Sequence, residues 1–593
     1  MPARPRSVRR LCPRLPPPRV TWSAAQPDLP VHLSVPTAEL PAPAPSTDVA
    51  GRPFALGRWL TGGRLYLTLG GVALVVAALS LLIPSTPSYD PWAWLVWGRE
   101  IAHINLQTTG GPSWKPLPVL FTTVFSLFGN AQPDLWLIVA RAGALVGVAM
   151  VFKVAWRLTR DLVAGITEPD GGSSRGLGLV PPLLAGLIAA SSLVNSGGFI
   201  SNNALGYSEG FATALGLIAV DSYLDGARHR AFVVGFFAAL DRPELWFVWG
   251  PYGLYLFWRD PGARKLVVAL FALIPVLWFL PELWGSGHLL RGVNRAQHPR
   301  SNSAAFAKCP VCTVFRKEAW PTVMNRIKIP GIIAMFVAAF GLWRMRAGWW
   351  RHPGPVDRAV RARAWLLGLG LFGFVWWLGV AIETQAGFSG NNRYLVLGTA
   401  PVAIVGGVAW GWFAGALAAL LRRLGNLRGG PGEVIRRLAL PVAAAVVIAV
   451  ILVVPRWIGA SGSIVSLPRT HHAIVYQGHL REDLTAAVRE AGGASALLNC
   501  AGRPASVMTE GFQVPMVAWT LGVHTLRIEV PPAKLAPPPW PTVILQTRAQ
   551  SNSSLLPTAT QIRAWERAGA RYRLAAHVRT FRVFSTCAAK VSQ

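Results

Sequence analysis

Residues 85–128 read STPSYDPWAWLVWGREIAHINLQTTGGPSWKPLPVLFTTVFSLF and follow directly on the first strongly apolar run of the chain, at 65–83. The stretch contains two carboxylates, Asp90 and Glu100, and one lysine, Lys115, among several tryptophans. Charges at a membrane boundary are costly unless they face water or a polar cavity, so they are candidates for a functional site. The same pattern is also typical of an interfacial aromatic belt with ordinary surface acids. Both interpretations are open at this point.

The composition of the chain is that of a membrane protein. Apolar residue types make up 52% of its 593 residues, charged types only 14%, and 26 residues are tryptophan. Apolar runs recur at close to the ~20 residues that a helix needs to cross the hydrocarbon layer. We therefore expect a mainly α-helical, polytopic transmembrane bundle of about eleven crossings. They are centred near 65–84, 134–155, 178–195, 209–224, 231–241, 243–257, 265–282, 327–345, 363–382, 394–420 and 437–455, the fifth and sixth being short and forming a hairpin.

The net charge of +31 is explained by membrane topology, without a nucleic-acid partner. Arginine and lysine are concentrated in alternate short loops, which is the pattern of cytoplasmic loops in multi-pass proteins. This asymmetry predicts a cytoplasmic-membrane protein with its N-terminus inside and everything after Pro455 outside. Residues 1–62, rich in Pro and Arg without apolar periodicity, are expected to form a disordered cytoplasmic tail. The transmembrane domain is expected at 63–457.

Four of the five cysteines fall in segments predicted to be extracytoplasmic, where paired thiols oxidise. Cys500 and Cys587 bracket most of the C-terminal segment, and we expect them to form a disulfide. Cys309 and Cys312 form a CPVC pair in a long outer loop. A disulfide or plain thiols are favoured there over a metal site, because no second CxxC or His pair completes a zinc site.

The C-terminal segment, 458–593, changes from long apolar runs to short mixed ones. This predicts a small extracytoplasmic α/β domain of ordinary size. The predicted strands are 505–509, 515–521, 525–530 and 542–546, and the predicted helices are 482–498 and 560–568. No nucleophile elbow, phosphate loop or metal-ligand cluster occurs in this sequence, so we expect a binding or packing role.

Acids and cations on the outer face of a multi-pass protein suit transfer from a lipid-phosphate-linked substrate. A carboxylate such as Asp90 or Glu100 can deprotonate an incoming hydroxyl. A cation such as Lys115 or Arg393 can stabilise the phosphate leaving group. Apolar helices can accommodate the lipid tail.

Five features follow one another along the chain: Asp90, Lys115-Pro116-Leu117-Pro118, Leu127-Phe128-Gly129, Val139-Ala140-Arg141 and Asn392-Arg393-Tyr394. Their order resembles that of the GT-C superfamily of membrane glycosyltransferases. Within this superfamily the chain resembles the bacterial protein O-mannosyltransferase-like enzymes and the aminoarabinose transferase of lipid A. There, an acid outside the first crossing precedes a Lys/His-Pro-Pro-Leu turn, a Phe-Gly helix end, a crossing that opens with Arg, and a late Gly-Arg-Tyr. The resemblance covers residues 65–260, and 385–420 more loosely.

The resemblance implies that Asp90 is the catalytic base, Lys115 a ligand of the donor phosphate and Arg393 a second phosphate contact. The turn reads Lys-Pro-Leu-Pro rather than Lys-Pro-Pro-Leu, which puts its geometry in question. Tyr207-Ser208-Glu209 replaces the acidic Asp-Pro-type feature of the family, so Tyr207 and Glu209 are candidate acceptor contacts.

Each of the charged candidates also has a purely structural interpretation. Lys115 could be a snorkelling interfacial lysine, and Arg393 could be a topology anchor. Glu100 lies nearly three turns beyond Asp90. It could cap or solvate a surface helix instead of serving as a second catalytic acid.

Together these features predict an enzyme that moves a hexosyl or pentosyl group from a polyprenyl-phosphate donor to a hydroxyl acceptor. The acceptor could be a glycan, a lipid or a protein of the bacterial envelope. The lipid-linked sugar would be a co-substrate; no other cofactor is expected, and a divalent metal has no support in the sequence. A transporter or flippase of lipid-linked intermediates is a second class, which would be expected to show internal repeats. A non-catalytic envelope scaffold is a third.

Overall fold

The computed structural model describes residues 63–167, 177–299, 303–349, 357–426, 432–453, 465–500, 503–535 and 538–587, so the predicted tail at 1–62 lies outside the described residues. The helices used below are α1 (Gly63–Leu79), α2 (Tyr89–Ala102), α3 (Pro116–Phe125), α4 (Gln132–Thr167), α5 (Val180–Val194), α6 (Phe199–Ala204), α7 (Glu209–Leu224), α8 (Arg228–Asp241), α9 (Trp246–Arg259), α10 (Arg264–Ser286), α11 (Arg291–Ala296), α12 (Asn325–Trp349), α13 (Arg358–Gln385), α14 (Val396–Asn426), α15 (Gly432–Val453), α16 (Leu467–Glu490), α17 (Gly493–Leu498), α18 (Val514–Leu521) and α19 (Ala559–Arg567). The strands are β1 (Asn499–Cys500), β2 (Arg503–Pro504), β3 (Val507–Thr509), β4 (Ile528–Glu529), β5 (Val543–Gln546), β6 (Arg573–Val578) and β7 (Phe581–Ser585).

Each of the eleven predicted crossings overlaps one helix of the structure. Seven helical stretches among the described residues are long and apolar enough to cross a membrane, which makes this a multi-pass membrane protein. The remaining four helices, α5, α7, α8 and α9, have 15, 16, 14 and 14 residues. A 14-residue helix is about 21 Å long, less than the ~30 Å of hydrocarbon in a bilayer. The predicted count of about eleven therefore holds for helices, whereas seven meet the length for a full crossing.

Helix α2 lies between the membrane helices and the C-terminal part of the chain. The Trp94 ring packs edge-on against Trp136 of α4 at 5.6 Å between centroids. The Trp92 ring packs against Trp519 of α18 at 5.2 Å. Trp92, Trp94 and Trp97 are 2%, 0% and 0% exposed. These tryptophans are thus a core shared by two parts of the protein, and the interpretation of this stretch as a lipid-facing aromatic belt is wrong.

The C-terminal part contains a five-stranded mixed sheet in the order β4-β3-β5-β7-β6. Strand β3 runs parallel to both β4 and β5. Strand β7 is antiparallel to β5 and to β6. The side chains of Val507, Leu545 and Phe581 are completely buried in its core. A small α/β unit therefore follows the membrane helices, as the sequence predicts.

One of the predicted strands is wrong in this unit, and another is shorter than predicted. The segment predicted as a strand at 515–521 is helix α18, which begins with Pro515 in its first turn and ends at Gly522 with φ 73°. Proline is tolerated in the first turn of a helix, and glycine readily adopts this left-handed end. Of the strand predicted at 525–530, β4 covers Ile528–Glu529 only. The β6–β7 hairpin was not predicted.

All four cysteines of the predicted extracytoplasmic segments are paired in the structure. Cys500 is joined to Cys587, which ties the end of β1 to the chain beyond β7. Cys309 is joined to Cys312. The pairing of Cys309 with Cys312 accounts for the CPVC motif without a metal.

Candidate active site

Six charged side chains meet at one end of the helix bundle, each of them less than 10% exposed: Asp90, Lys115, Glu209, Asp241, Arg242 and Arg393. We call this set the charged cluster. Its members come from segments far apart in the sequence, and each lies at the end of a helix. Burying so many charges is expensive unless they are paired or used, so the cluster is the first candidate for a functional site.

The ends of helices place the members of the cluster. Asp90 lies in the first turn of α2, and Glu209 is the first residue of α7. A carboxylate is favoured there because the free N–H groups give the start of a helix a partial positive charge. Lys115 immediately precedes α3, whose first residue is Pro116. Proline suits this position because the missing N–H would have no partner inside the helix.

Asp90 and Arg393 form a buried ion pair. The Nη2 of Arg393 donates to Oδ2 of Asp90 at 2.6 Å. The guanidinium lies 4.1 Å from the centre of the Tyr207 ring and 5.0 Å from that of Tyr394. Cation–π contacts of this kind hold an arginine head in place. Arg393 is therefore part of the interior of the protein and does not extend to the surface as a topology anchor would.

Lys115 and Glu209 form a second pair beside the first. The Nζ of Lys115 lies 3.3 Å from Oε1 of Glu209 and donates to Oγ of Ser208 at 3.1 Å. It also lies 5.3 Å from the centre of the Trp94 ring. A snorkelling lysine would extend its ammonium to the interface, whereas this one is 9% exposed and is held by partners in the interior.

Asp241 and Arg242 also belong to the cluster, although the sequence pattern suggested only a hairpin tip between α8 and α9. The guanidinium of Arg242 lies 4.4 Å from the centre of the Tyr394 ring. Its nitrogens lie 3.8 Å from a carboxylate oxygen of Glu209 and 3.7 Å from one of Glu244. The signal that could have identified them is the run Asp-Arg-Pro-Glu between two apolar helices, because charges at membrane depth are rare without a function.

Several buried atoms of the cluster have no hydrogen-bond partner among the described residues. They are Nη1 of Arg393, Nε and Nη2 of Arg242 and Oε2 of Glu209. Most buried polar atoms in folded proteins are hydrogen-bonded, so a group of exceptions in one place needs an explanation. The guanidinium N–H groups can donate to an anion such as a phosphate. The Oε2 of Glu209 can accept a hydrogen bond from a hydroxyl group.

Tyr207 and Glu100 lie in different surroundings. The hydroxyl of Tyr207 is 3.1 Å from Oγ of Ser88, and burial raises its pKa to about 12. Tyr207 thus lines the cluster in its neutral form. Glu100 lies ten residues beyond Asp90, about 15 Å further along α2, and the structure does not bring the two acids together.

Glu100 instead contacts the C-terminal unit. Its Oε1 is 2.7 Å from Nδ1 of His524, and its Oε2 accepts from the backbone N–H of Gln107 at 2.9 Å. Burial raises its pKa. Next to it, Arg99 donates to the carbonyls of Trp519 and Val523. The end of α2 therefore holds the two parts of the protein together.

Metal ligands do not gather at this site. Throughout the described ranges, no group of three or more His, Cys, Asp and Glu residues is arranged to hold a metal ion.

No protein-family model matches the chain, and no curated protein is similar to it. Among solved structures, the chain is similar to ArnT from Cupriavidus metallidurans bound to undecaprenyl phosphate, with 12% identity, 89% of this chain and 99% of that chain covered, and a TM-score of 0.44. The apo state of ArnT gives 14% identity, 88% and 98% coverage, and a TM-score of 0.40.

The archaeal oligosaccharyltransferase AglB from Archaeoglobus fulgidus, in complex with an inhibitory peptide and a dolichol-phosphate, gives 11% identity, 78% and 64% coverage, and a TM-score of 0.35. Similarity at this level assigns no activity to the chain, so its activity is proposed from the site.

Proposed function

We propose that this protein is a membrane glycosyltransferase that moves a sugar from a polyprenyl-phosphate donor to a hydroxyl acceptor at the charged cluster. The observation that carries the proposal is the pairing of Asp90 with Arg393 beside that of Lys115 with Glu209, all four less than 10% exposed. It combines a base with two phosphate-binding cations at one end of a set of membrane helices.

The chemistry requires one bond to form and one to break. The acceptor oxygen attacks the anomeric carbon of the sugar, and its proton passes to the carboxylate of Asp90. The bond between that carbon and the phosphate oxygen breaks, which leaves a further negative charge on polyprenyl phosphate. Lys115 and Arg393 stabilise this charge as it develops. Arg242, whose guanidinium lies 3.8 Å from the carboxylate of Glu209, supplies a third cation close to the same place.

The ion pairs also give an order of events. While Arg393 donates to Oδ2 of Asp90 at 2.6 Å, this carboxylate is engaged by the guanidinium and not by the acceptor hydroxyl. A donor phosphate that binds Arg393 competes with Asp90 for the same N–H groups. Donor binding would therefore release the base at the moment when the acceptor needs it. The same exchange at Lys115 would release Glu209 to accept a hydrogen bond from the acceptor.

The apolar surface next to the cluster suits a lipid tail. Helix α3 begins directly after Lys115, and its outer side exposes Leu120 by 45% and Val124 by 56%. The exposed side chains of Leu127 and Phe128 extend this apolar surface beyond the end of α3. A polyprenyl chain attached to a phosphate at Lys115 could lie along this surface without crossing a polar one.

The proposal is tested with the purified protein in detergent, supplied with a panel of polyprenyl-phosphate sugars and a mixture of envelope acceptors. The expected result is consumption of one donor with release of polyprenyl phosphate, and its loss on mutation of the cluster. A flippase has no turnover in detergent, because there are no two compartments to connect. If no donor is consumed, but lipid-linked intermediates cross vesicles that contain the protein, the transporter class is correct and the proposal is wrong.

A non-catalytic scaffold is distinguished from an enzyme by the effect of mutations in the cell. Replacement of Asp90 and Lys115 should abolish function in the cell if the protein is an enzyme. The same replacements should have no consequence if the protein acts only through its C-terminal unit.

A further inference from the structure

An arginine-lined cleft lies at the end of the bundle that is opposite to the charged cluster. It has a volume of about 280 Å³ and is formed by α4, the end of α7 and the start of α13. Four arginines line it, Arg157, Arg160, Arg358 and Arg361, with Asp161 and Trp365 beside them. We infer that this cleft binds the phosphate headgroup of an anionic phospholipid, an inference that does not depend on the proposed function.

The helices themselves establish that the two sites lie at opposite ends. Helix α7 begins with Glu209 in the charged cluster and ends with Leu224 in the cleft, about 22 Å further along its axis. Helix α13 begins with Arg358 in the cleft and ends at Gln385, a short loop before Arg393. Its 28 residues span about 42 Å. The cleft therefore faces the second leaflet of the membrane.

The arginines of the cleft are not neutralised to the same degree. Arg157 is paired with Asp221 at 2.9 Å and with Asp225 at 2.6 Å, and these acids fix its guanidinium. Arg160 contacts its neighbour Asp161 at 3.2 Å and is 47% exposed.

Arg358 and Arg361 are exposed, and neither makes an ion pair with a carboxylate in the described part of the chain. The nearest acid on the same helix end is Asp357, whose side chain caps α13 by accepting from the N–H of Ala359. Arg157 and Arg160 are thus paired with acids, whereas Arg358 and Arg361 can bind an anion.

Aromatic and apolar side chains favour a lipid over a soluble phosphate. The Trp365 ring lies 5.5 Å from that of Tyr223, and the guanidinium of Arg160 lies 4.8 Å from the centre of the Trp156 ring. Tryptophan and tyrosine concentrate at the depth of the headgroups. Below the cleft, the outer side of α13 continues with Leu371 and Val375, exposed by 62% and 55%. Acyl chains can lie against this surface while the phosphate stays among the arginines.

The test compares the full-length protein with the double variant Arg358→Gln/Arg361→Gln. Each arginine that hydrogen-bonds the phosphate in the cleft contributes a factor of about five or more to the affinity, so the loss of two predicts roughly 25-fold or more weaker binding. Retained lipid is counted by native mass spectrometry after incubation with phosphatidylglycerol, and phosphatidylcholine serves as the neutral comparison. Arg358→Lys/Arg361→Lys keeps the charge and should retain most of the binding.

A matched control removes two arginines from the same end of the bundle but away from the cleft, Arg436→Gln/Arg437→Gln on α15. It should leave lipid retention within about threefold of the unchanged protein. Equal losses in both double variants would mean general surface electrostatics and would overturn the inference.

A third arm adds inorganic phosphate at millimolar concentration. If inorganic phosphate displaces phosphatidylglycerol completely, and stabilises the protein against thermal unfolding when no lipid is added, the site binds soluble phosphates and the lipid assignment is wrong. Folding of the variants is checked by their thermal unfolding in neutral detergent, where no anionic lipid is present.

Discussion

Replacement of Asp90 by asparagine should remove the catalytic base while preserving the contact with Arg393. Asparagine has nearly the same shape and can still accept a hydrogen bond from Arg393, but it cannot take a proton from an acceptor. General-base catalysis by a positioned carboxylate contributes about 10²–10⁴-fold, so kcat should fall by at least about 10²-fold. The protein should still insert and accumulate, because the shape of the buried contact is preserved.

The Michaelis constant for the donor should also fall, which means that the donor binds more tightly. A hydrogen bond between charged partners contributes about 1 kcal/mol more than one with a neutral partner. Donor phosphate that binds Arg393 in the Asp90→Asn variant no longer has to displace a carboxylate at 2.6 Å. The KM for donor should therefore fall by about fivefold while kcat collapses. A simple structural defect would raise KM or lower the amount of folded protein.

The assay follows polyprenyl phosphate release by purified protein at several donor concentrations. The matched control is Asp134→Asn, which alters an aspartate–arginine pair of the same 2.6 Å length, with Arg481, but at a carboxylate that is 41% exposed. It should change kcat by less than about threefold, as exposed ion pairs contribute little. If Asp90→Asn retains more than a third of the normal kcat, Asp90 is not the base and Asp241 becomes the next candidate.

Further predictions concern the cations, the tyrosine and the disulfide. Lys115→Ala and Arg393→Ala should each raise the KM for donor about tenfold or more and the KM for acceptor much less, as steady-state kinetics can show; equal small effects on both would contradict phosphate binding. Tyr207→Phe should keep most of the activity, since the ring that supports Arg393 remains, whereas Tyr207→Ala should lose it; a pH profile without a step assigned to Tyr207 below pH 11 is expected from its pKa of about 12. Cys500→Ser with Cys587→Ser opens a link across 87 positions and should lower the free energy of unfolding by roughly 4–5 kcal/mol in the chain-entropy model. In intact cells, Cys500 and Cys587 should react with an impermeant thiol reagent only after reduction; reaction only in broken cells would reverse the proposed topology.

The sequence by itself determined the helical, multi-pass character of the membrane part, because hydrophobic length acts locally. A run of about 20 apolar residues can satisfy its backbone in lipid only as a helix, so the stretches of crossing length could be located without any tertiary information. The pairing of Cys500 with Cys587 was expected on similarly simple grounds. The order of Asp90, Lys115 and Arg393 along the chain was enough to nominate them as one site.

Only the tertiary structure decided which charges meet. Asp90 and Arg393 are 303 positions apart, and no local pattern encodes their contact. Asp241 and Arg242 were interpreted as a hairpin tip, because the sequence does not reveal that this tip points into the same interior as Glu209. Glu100 stands on the same helix as Asp90 but contacts His524, from a segment 424 positions away.

The same reason explains the segment at 515–521. Val517, Trp519 and Thr520 are residue types that favour a strand, yet the segment is helix α18, in which Trp519 packs against Trp92 of α2. Where a segment is surrounded by lipid, its own composition determines its secondary structure. Where the neighbours are distant parts of the same chain, the packing energy outweighs the small differences in local propensity.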